Sequence, residues 1–419
     1  MKKIALFTAL LTLAIAVNAQ TLNVQSAMSD LKRGYLNKAK TAIDKACVHE
    51  DTKDDAKTWY YAGLIYSQIG GETKKAKSKF KDLDPDWCAK AYNAALRCKE
   101  LDTKGEYTNG NNGVFKFIGN EFFNKSCDLF NSGDYANALK EAEEAIKISN
   151  NSGESDLANN AYYIAGYSCQ MLKDNDGVKK YYGELVRKPK LKNFEDKLPR
   201  VYNTMIGLYK EAHDTAKVIR TAERYTKVMT GDPNASLLLA SAYIWAGNQT
   251  KGVELAEKAV SELSDTAKSY PILLCAAASI YEEAHEYAKA EANYKKSSEL
   301  QPNQFEANYG MGIMIYNRAA EKIQAINQMA NNGSISEEDE ITINKLTEES
   351  NHFFEQAIPY LVKAIQYIDG LSPEEQTYNR QNLYNGLSSL RTCYVRLDLL
   401  KEAQPINARI AELEKSAKN

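Results

Sequence analysis

The chain has 419 residues, 53 Lys plus Arg against 55 Asp plus Glu, a formal net charge of −2 and 44% hydrophobic residues. That near-neutral balance excludes an evenly basic nucleic-acid binder, which would carry a clustered positive footprint, and the apolar and aromatic content excludes global disorder. Gly (22) and Pro (9) are too scarce for a turn-rich β-sandwich or barrel, so a helical protein is expected, and the 27 Tyr need a cause.

Lys2 and Lys3 form a positive n-region, Ile4 to Val17 is apolar apart from Thr8 and Thr12, and Val17-Asn18-Ala19 offers small residues for cleavage. The run is too short to span about 30 Å of hydrocarbon, which takes roughly 20 helical residues. Residues 1–19 are therefore expected to be a cleaved export signal with Gln20 as the mature N-terminus, which places the protein in the periplasm or elsewhere outside the cytoplasm. No Cys lies near the cleavage point to accept a lipid, and no later segment approaches eighteen consecutive apolar residues, so the mature chain is expected to have no transmembrane segment. Loss of Lys2 and Lys3 leaves 51 basic residues against 55 acidic ones, a net charge of −4.

From residue 20 to 419 the sequence repeats one theme, small residues on a first helix and a bulky-and-small pattern on a second. A unit near 22–49 carries Ala39, Ile43 and Ala46. The next opens with Trp59, Ala62, Gly63 and Tyr66 and closes with residues 91–102, the stretch 70–86 being an insertion loop that contains the basic run Lys74, Lys75, Lys77, Lys79 and Lys81. Phe122, Ser126 and Leu129 precede Ala138, Ala142 and Ala145. Tyr162, Ala165, Gly166 and Cys169 precede Val178, Tyr182 and Leu185. Tyr202, Met205 and Tyr209 precede Val218, Ala222 and Tyr225, and Leu239, Ala240 and Tyr243 precede Gly252, Ala256 and Ala259. A complete unit spans 271–303 with Ala277, Ala278, Tyr281, Tyr287, Ala290, Tyr294 and Pro302. The unit over 305–370 differs: Asn308, Met311, Gly312 and Ile315 are separated from Ala357, Leu361 and Ala364 by about 33 extra helix-forming residues, broken at Asn331 to Ser334 and restarted at Ser336 with Glu337 to Glu340 behind it. Lengthening each helix by about 15 residues makes a hairpin projecting about 20 to 25 Å; it is either a docking or dimerisation arm or a long hairpin folded on its neighbours. Leu387, Leu390 and Tyr394, then Ala403, Asn407 and Ile410, close the series.

These offsets resemble the tetratricopeptide repeat, and the resemblance covers nearly the whole chain after residue 20. It implies an all-α fold, a right-handed α-solenoid of about nine antiparallel helix pairs with one elongated helical hairpin. It also gives the Tyr excess a cause, because Tyr66, Tyr209, Tyr243, Tyr281 and Tyr394 fall at packing positions.

The seven Cys include no CxxC pair, and most fall inside apolar helical patterns, where a small buried side chain is the expected role. Cys88 and Cys98, ten residues apart on one helix, sit about 15 Å from each other and cannot bridge. His49, His213, His285 and His352 belong to no HExxH or metal-ligand spacing, and no phosphate loop, dinucleotide fingerprint or GxSxG elbow is present. No enzyme activity, cofactor or metal is expected. The Lys run at 74–81 reads as a solvated loop. In tetratricopeptide proteins the first helix of each pair lines a concave groove that takes peptides or extended protein segments. Carried over unit by unit, this register puts Tyr60, Phe123, Phe130, Tyr163, Tyr167, Tyr309 and Tyr316 on that face, where aromatic rings supply contact area. The expected function is a non-enzymatic protein-binding scaffold or adaptor of the bacterial cell envelope, with a protein or peptide partner, no nucleic acid, and an envelope complex as its setting. The alternative is a carbohydrate-binding protein on the same scaffold, since Tyr and Trp also stack on sugar faces.

Overall fold

The computed structural model describes residues 22–416 apart from 154, 189, 190, 192, 264–269 and 332–335. The export-signal segment and the 332–334 part of the hairpin break lie outside the described residues. Among the described residues there is no strand, and no helix is long and apolar enough to cross a membrane.

The chain divides into two compact units, one ending at Ala212 and the other beginning at His213. The first holds α1 (22–32), α2 (Leu36–Val48), α3 (Ala56–Thr73), α4 (Trp87–Leu101), α5 (Thr108–Asn131), α6 (Tyr135–Ser152), α7 (Ser155–Met171), α8 (Asn175–Arg187) and α9 (Leu198–Glu211). The second holds α10 (Thr215–Val228), α11 (Pro233–Trp245), α12 (Gln249–Ser261), α13 (Tyr270–Glu283), α14 (Tyr287–Leu300), α15 (Phe305–Asn331), α16 (Glu337–Asp369), a short α17 (Pro373–Tyr378), α18 (Arg380–Arg396) and α19 (Leu400–Ser416). Within each unit successive helices make tetratricopeptide-like pairs of a first helix (A) and a second (B); α9 closes the first unit in an A position and α10 opens the second in a B position. The two helices expected to form the fifth pair, α9 and α10, fall in different units, which the repeat pattern does not anticipate because no Gly- or Pro-rich linker marks the place. A second departure concerns the insertion: α3 continues through Gly70 to Thr73, so the non-helical connection is 74–86. The cause is packing, because the Trp87 ring lies where a Cβ on Gly70 would be, 2.4 Å away.

One turn recurs between A and B helices. Gly34, Gly133, Lys173, Gly247, His285 and Asp398 all have φ between 59° and 84°, a conformation that ends a helix with the left-handed residue of a Schellman motif. The following N–H reaches back five residues each time, Asp134 to Leu129 at 2.9 Å, Asp174 to Cys169 at 2.8 Å, Asn248 to Tyr243 at 2.9 Å and Glu286 to Tyr281 at 2.8 Å. Asp134, Asp174 and Asn248 then turn their side chains forward and accept from the backbone N–H of Asn137, Gly177 and Lys251, capping the B helix. Two adjacent residues thus stop one helix and start the next.

Glycines let the A and B helices of two pairs approach closely. A Cβ on Gly166 of α7 would sit 2.3 Å from the Tyr182 ring of α8, and one on Gly312 of α15 would sit 2.9 Å from Leu361 of α16. Tyrosines join successive pairs. The Tyr66 hydroxyl donates to Asp44 of the preceding B helix while Lys90 of its own B helix lies over the ring at 5.6 Å. Tyr243 repeats this with Glu223 at 3.0 Å and Lys251 over its ring at 4.2 Å, and Tyr281 sits under Lys289, which pairs with Glu257 at 2.9 Å.

The elongated pair forms as the spacing implies, with 27 residues in α15 and 33 in α16 against 14 in each of α13 and α14. Ser336 and Asp339 make a capping box at the start of α16. The two helices run side by side, with Ser350 Oγ donating to the Ala319 carbonyl at 3.2 Å and Lys322 paired to Glu349 at 2.7 Å. Outward from there Ile323, Ile326 and Met329 recur half-buried on α15, and Ile343 and Leu346 on α16.

Two glycines of the α7/α8 pair give opposite expectations. Gly166→Ala should destabilise the chain by about 1–3 kcal/mol, because the Tyr182 ring it would strike is 0% exposed and has no free space to move into. Gly183→Ala, with nothing within 4 Å of its added Cβ, should stabilise by about 0.5–1 kcal/mol through helix propensity. Urea unfolding midpoints of the two variants read both signs.

Candidate functional site

The helix ladder decides which surface is available. Within the first unit α3 packs on α5 and α5 on α7; within the second α11 packs on α13, α13 on α15 and α15 on α18. The B helices α4, α6, α8, α12, α14 and α16 instead each pack between their own A helix and the next one. Consecutive A helices therefore line one continuous face in each unit.

In the first unit three of the expected residues come together. The Phe130 ring lies 4.7 Å from Tyr167, which lies 6.0 Å from Tyr163, and Tyr163 meets Phe194 edge-on at 5.9 Å. The Arg200 guanidinium stands 4.2 Å over the Tyr167 ring, beside Tyr163. Burial pushes the Tyr163 hydroxyl above its ordinary range, and the Arg200 charge opposes that. Tyr60 goes elsewhere: its ring packs on Tyr61 and Tyr107, both at 5.1 Å, over the bare backbone of Gly110. Phe123 is half-buried on α5.

In the second unit a groove of about 630 Å³ opens on the A face across α13 and α15. Its floor is the Tyr294 ring, which reaches through from α14 because α15 carries Gly310 there; a Cβ would sit 2.4 Å from that ring. Phe305 and Tyr309 stack at 5.1 Å along one wall, and Ile272, 50% exposed, stands on the other. A second recess of about 440 Å³ shares Phe305 and Glu306 with the first and extends to Tyr367 and to Tyr378, which is 88% exposed. Of the two expected residues here, Tyr309 lines the groove. Tyr316 instead faces Phe354 of α16 at 5.8 Å, inside the elongated pair.

The polar part of the groove is acidic. Glu282, Glu283, Glu306 and Glu321 line it, and none of its lining residues is Lys or Arg. Glu282 accepts from Asn317 Nδ2 at 3.2 Å. Burial, reinforced by the neighbouring Glu283 and Glu321 carboxylates, holds its pKa above the usual carboxylate range despite that hydrogen bond. Tyr287 donates to Glu321 at 2.7 Å, and its own hydroxyl is pushed up to about 12, by burial first and by that carboxylate second. His285, the turn residue, places Nδ1 3.1 Å from the Tyr287 hydroxyl.

The sequence-based register carried only aromatic residues, so it passed over Arg200 and all four groove glutamates. The signal was present, since Ile272, Cys275, Ala276, Ser279, Glu282 and Glu283 recur at three- and four-residue spacing opposite the buried Leu274, Ala277, Ala278 and Tyr281. The remaining chemistry-bearing residues have structural settings. All seven Cys are free thiols, with burial raising Cys275 to about 11 and Cys169 to about 12. Lys74 and Lys75 of the basic run pair with Glu121 and Glu72 at 2.7 and 2.6 Å. Among the described residues no group of three or more His, Cys, Asp and Glu is placed to hold a metal ion.

The raised Glu282 pKa has a measurable sign. A carboxyl that binds its proton more tightly folded than unfolded stabilises the fold at low pH and loses that contribution as pH rises. Glu282→Gln should therefore raise the thermal midpoint at pH 7, with the gain shrinking as the pH approaches about 4, where ordinary carboxylates protonate. Melts across pH 4–8 check this; a lowered midpoint at pH 7 contradicts it.

No family model matches the chain, and no curated protein matches it. Among solved structures it is similar to a TPR repeats protein from Bacteroides fragilis, with 18% identity, 65% of this chain and 98% of that one covered, and a TM-score of 0.24. It is also similar to a tetratricopeptide repeat protein from Parabacteroides merdae, at 14% identity, 68% and 94% coverage and a TM-score of 0.28. A human IFIT1 dimer with m7Gppp-AAAA matches at 13% identity, 86% and 80% coverage and a TM-score of 0.30. The tetratricopeptide-like character of the chain rests on its own helix pairs, turns and small-residue contacts.

Proposed function

We propose that the chain is a non-enzymatic binding scaffold that takes an extended segment of a partner protein along the A-helix face of its second unit. The observation that supports this is the groove between α13 and α15: concave, walled by Ile272, Phe305 and Tyr309, and continued past Phe305 to an almost fully exposed Tyr378. Large apolar and aromatic side chains left open beside fixed polar groups are the composition of a peptide-binding cleft. The acidic lining repels phosphate backbones and so favours a protein over a nucleic acid. Placement in the bacterial envelope rests on the export-signal pattern in the first twenty residues.

The test is site-specific photocrosslinking in envelope extract, with p-benzoylphenylalanine at position 272 in the groove or at position 258 on the exposed side of α12. One or a few protein adducts formed from 272 and absent from 258 are expected, and Tyr309→Ala should weaken binding of the captured partner by about tenfold or more, on the order of 1.4 kcal/mol. Identical adducts from both positions overturn the assignment. Tyr309-dependent binding to a glycan array, without a protein adduct, would replace it with the carbohydrate reading.

A further inference from the structure

We propose that the groove of the second unit selects extended segments in which a Lys or Arg stands beside an apolar side chain; this rests on the peptide-groove reading above. Glu282 and Glu283 come from the last turn of α13, Glu306 from the first turn of α15 and Glu321 from its middle. The adjoining recess adds Glu374 and Glu375 from α17, and it too has no Lys or Arg in its lining. Glu375 is engaged by Ser372 in the capping box of α17, whereas Glu306 stands at the point the two recesses share. Arg318, next to the groove residue Asn317 in sequence, is turned over the rings of Tyr287 and Phe353, at 5.3 and 4.3 Å.

Charge distribution elsewhere makes this arrangement informative. Lys40 and Lys90 meet Asp84, Lys125 meets Glu141, and Lys289 meets Glu257 and Glu286, so acids along the helix pairs are generally matched by a neighbouring cation. In the groove Glu282, Glu306 and Glu321 gather around an aromatic and aliphatic floor whose lining holds no Lys or Arg. Glu282 carries the consequence in its raised pKa, since burial and two like charges make its ionised form costly. A cationic side chain entering beside Asn317 would relieve that repulsion, and its aliphatic stem would lie along Tyr309 and Ile313, as Lys and Arg stems do on apolar surfaces. The half-buried Tyr309 ring and the exposed Tyr378 ring add a cation–π component. A neutral apolar segment would cover the half-buried Glu282 carboxylate further and bring it no positive charge, so this acid acts against such a segment as well as for a basic one.

The test screens the full chain against a bead-bound library of random octapeptides. The expected result is enrichment of Lys and Arg next to Leu, Ile or aromatic residues. In the Glu282→Gln, Glu306→Gln double variant the Lys and Arg enrichment should fall to library frequency while the apolar preference persists. The best wild-type peptide should lose about tenfold or more in affinity to that variant, and raising NaCl from about 50 to about 500 mM should weaken it for the wild type more than for the variant. Circular dichroism and thermal melts confirm that the variant is folded, and Gln keeps the size of Glu. Peptides selected with Lys and Arg at library frequency, or equally by the variant, overturn the charge selection and leave the groove reading standing. Retention of no peptide, or retention insensitive to Tyr309→Ala, overturns both.

Discussion

The distance of closest approach between the two helices of a pair governs the rest of this structure. Where α7 offers Gly166, the whole ring of Tyr182 lies against bare backbone, and where α15 offers Gly312, Leu361 does the same. Close pairs leave α3, α5 and α7 in the first unit, and α11, α13, α15 and α18 in the second, near enough to touch in succession, so within each unit these A helices form a ladder and expose one face. The groove uses the same device once more. Gly310 admits the Tyr294 ring from behind, and that ring becomes the floor on which Phe305 and Tyr309 stand.

Tyrosine is abundant because a single residue type does three things at the joint between pairs. The ring fills volume, the hydroxyl reaches an acid on the preceding B helix, and a Lys from the following B helix covers the ring's outer face, as at Tyr66 and Tyr243. Individually such exposed ion pairs contribute little. Their value is positional: they tie one pair to the next through a contact that is neither purely apolar nor purely charged. Phe at these sites would fill the space and leave Asp44 and Glu223 without their hydroxyl donors.

Much of this was legible in the residues alone, for a physical reason. Small-versus-large alternation at helical spacing is imposed by the helix contact itself, so Ala138, Ala142 and Ala145, or Ala277 and Ala278, announce the contact directly. The turns were equally open to reading, since a left-handed residue followed by Asp or Asn is a local signal. Other features depend on partners distant in sequence. Nothing near Gly70 announces that Trp87 will lie on it and keep α3 helical, and nothing near Tyr316 distinguishes the face meeting Phe354 from the face open to solvent. The division at Ala212 falls inside a pair whose sequence looks like its neighbours. The groove acids were missed because glutamate on a helix is ordinarily a solvated residue; only the convergence of α13 and α15 gives Glu282 and Glu306 a common environment.

The elongated α15/α16 pair shows what an array of this kind tolerates. Each pair contacts only its neighbours, so stability is close to a sum of local contributions. The extra length is confined to the far ends of two adjacent helices, where it interrupts none of the A-to-A contacts on which α13, α15 and α18 depend. Residues added at that tip alter neither the register nor the spacing of the pairs on either side. An array built this way accepts extra surface at the α15/α16 tip without disturbing the groove, which Gly310 and the rings of Tyr294, Phe305 and Tyr309 hold in register.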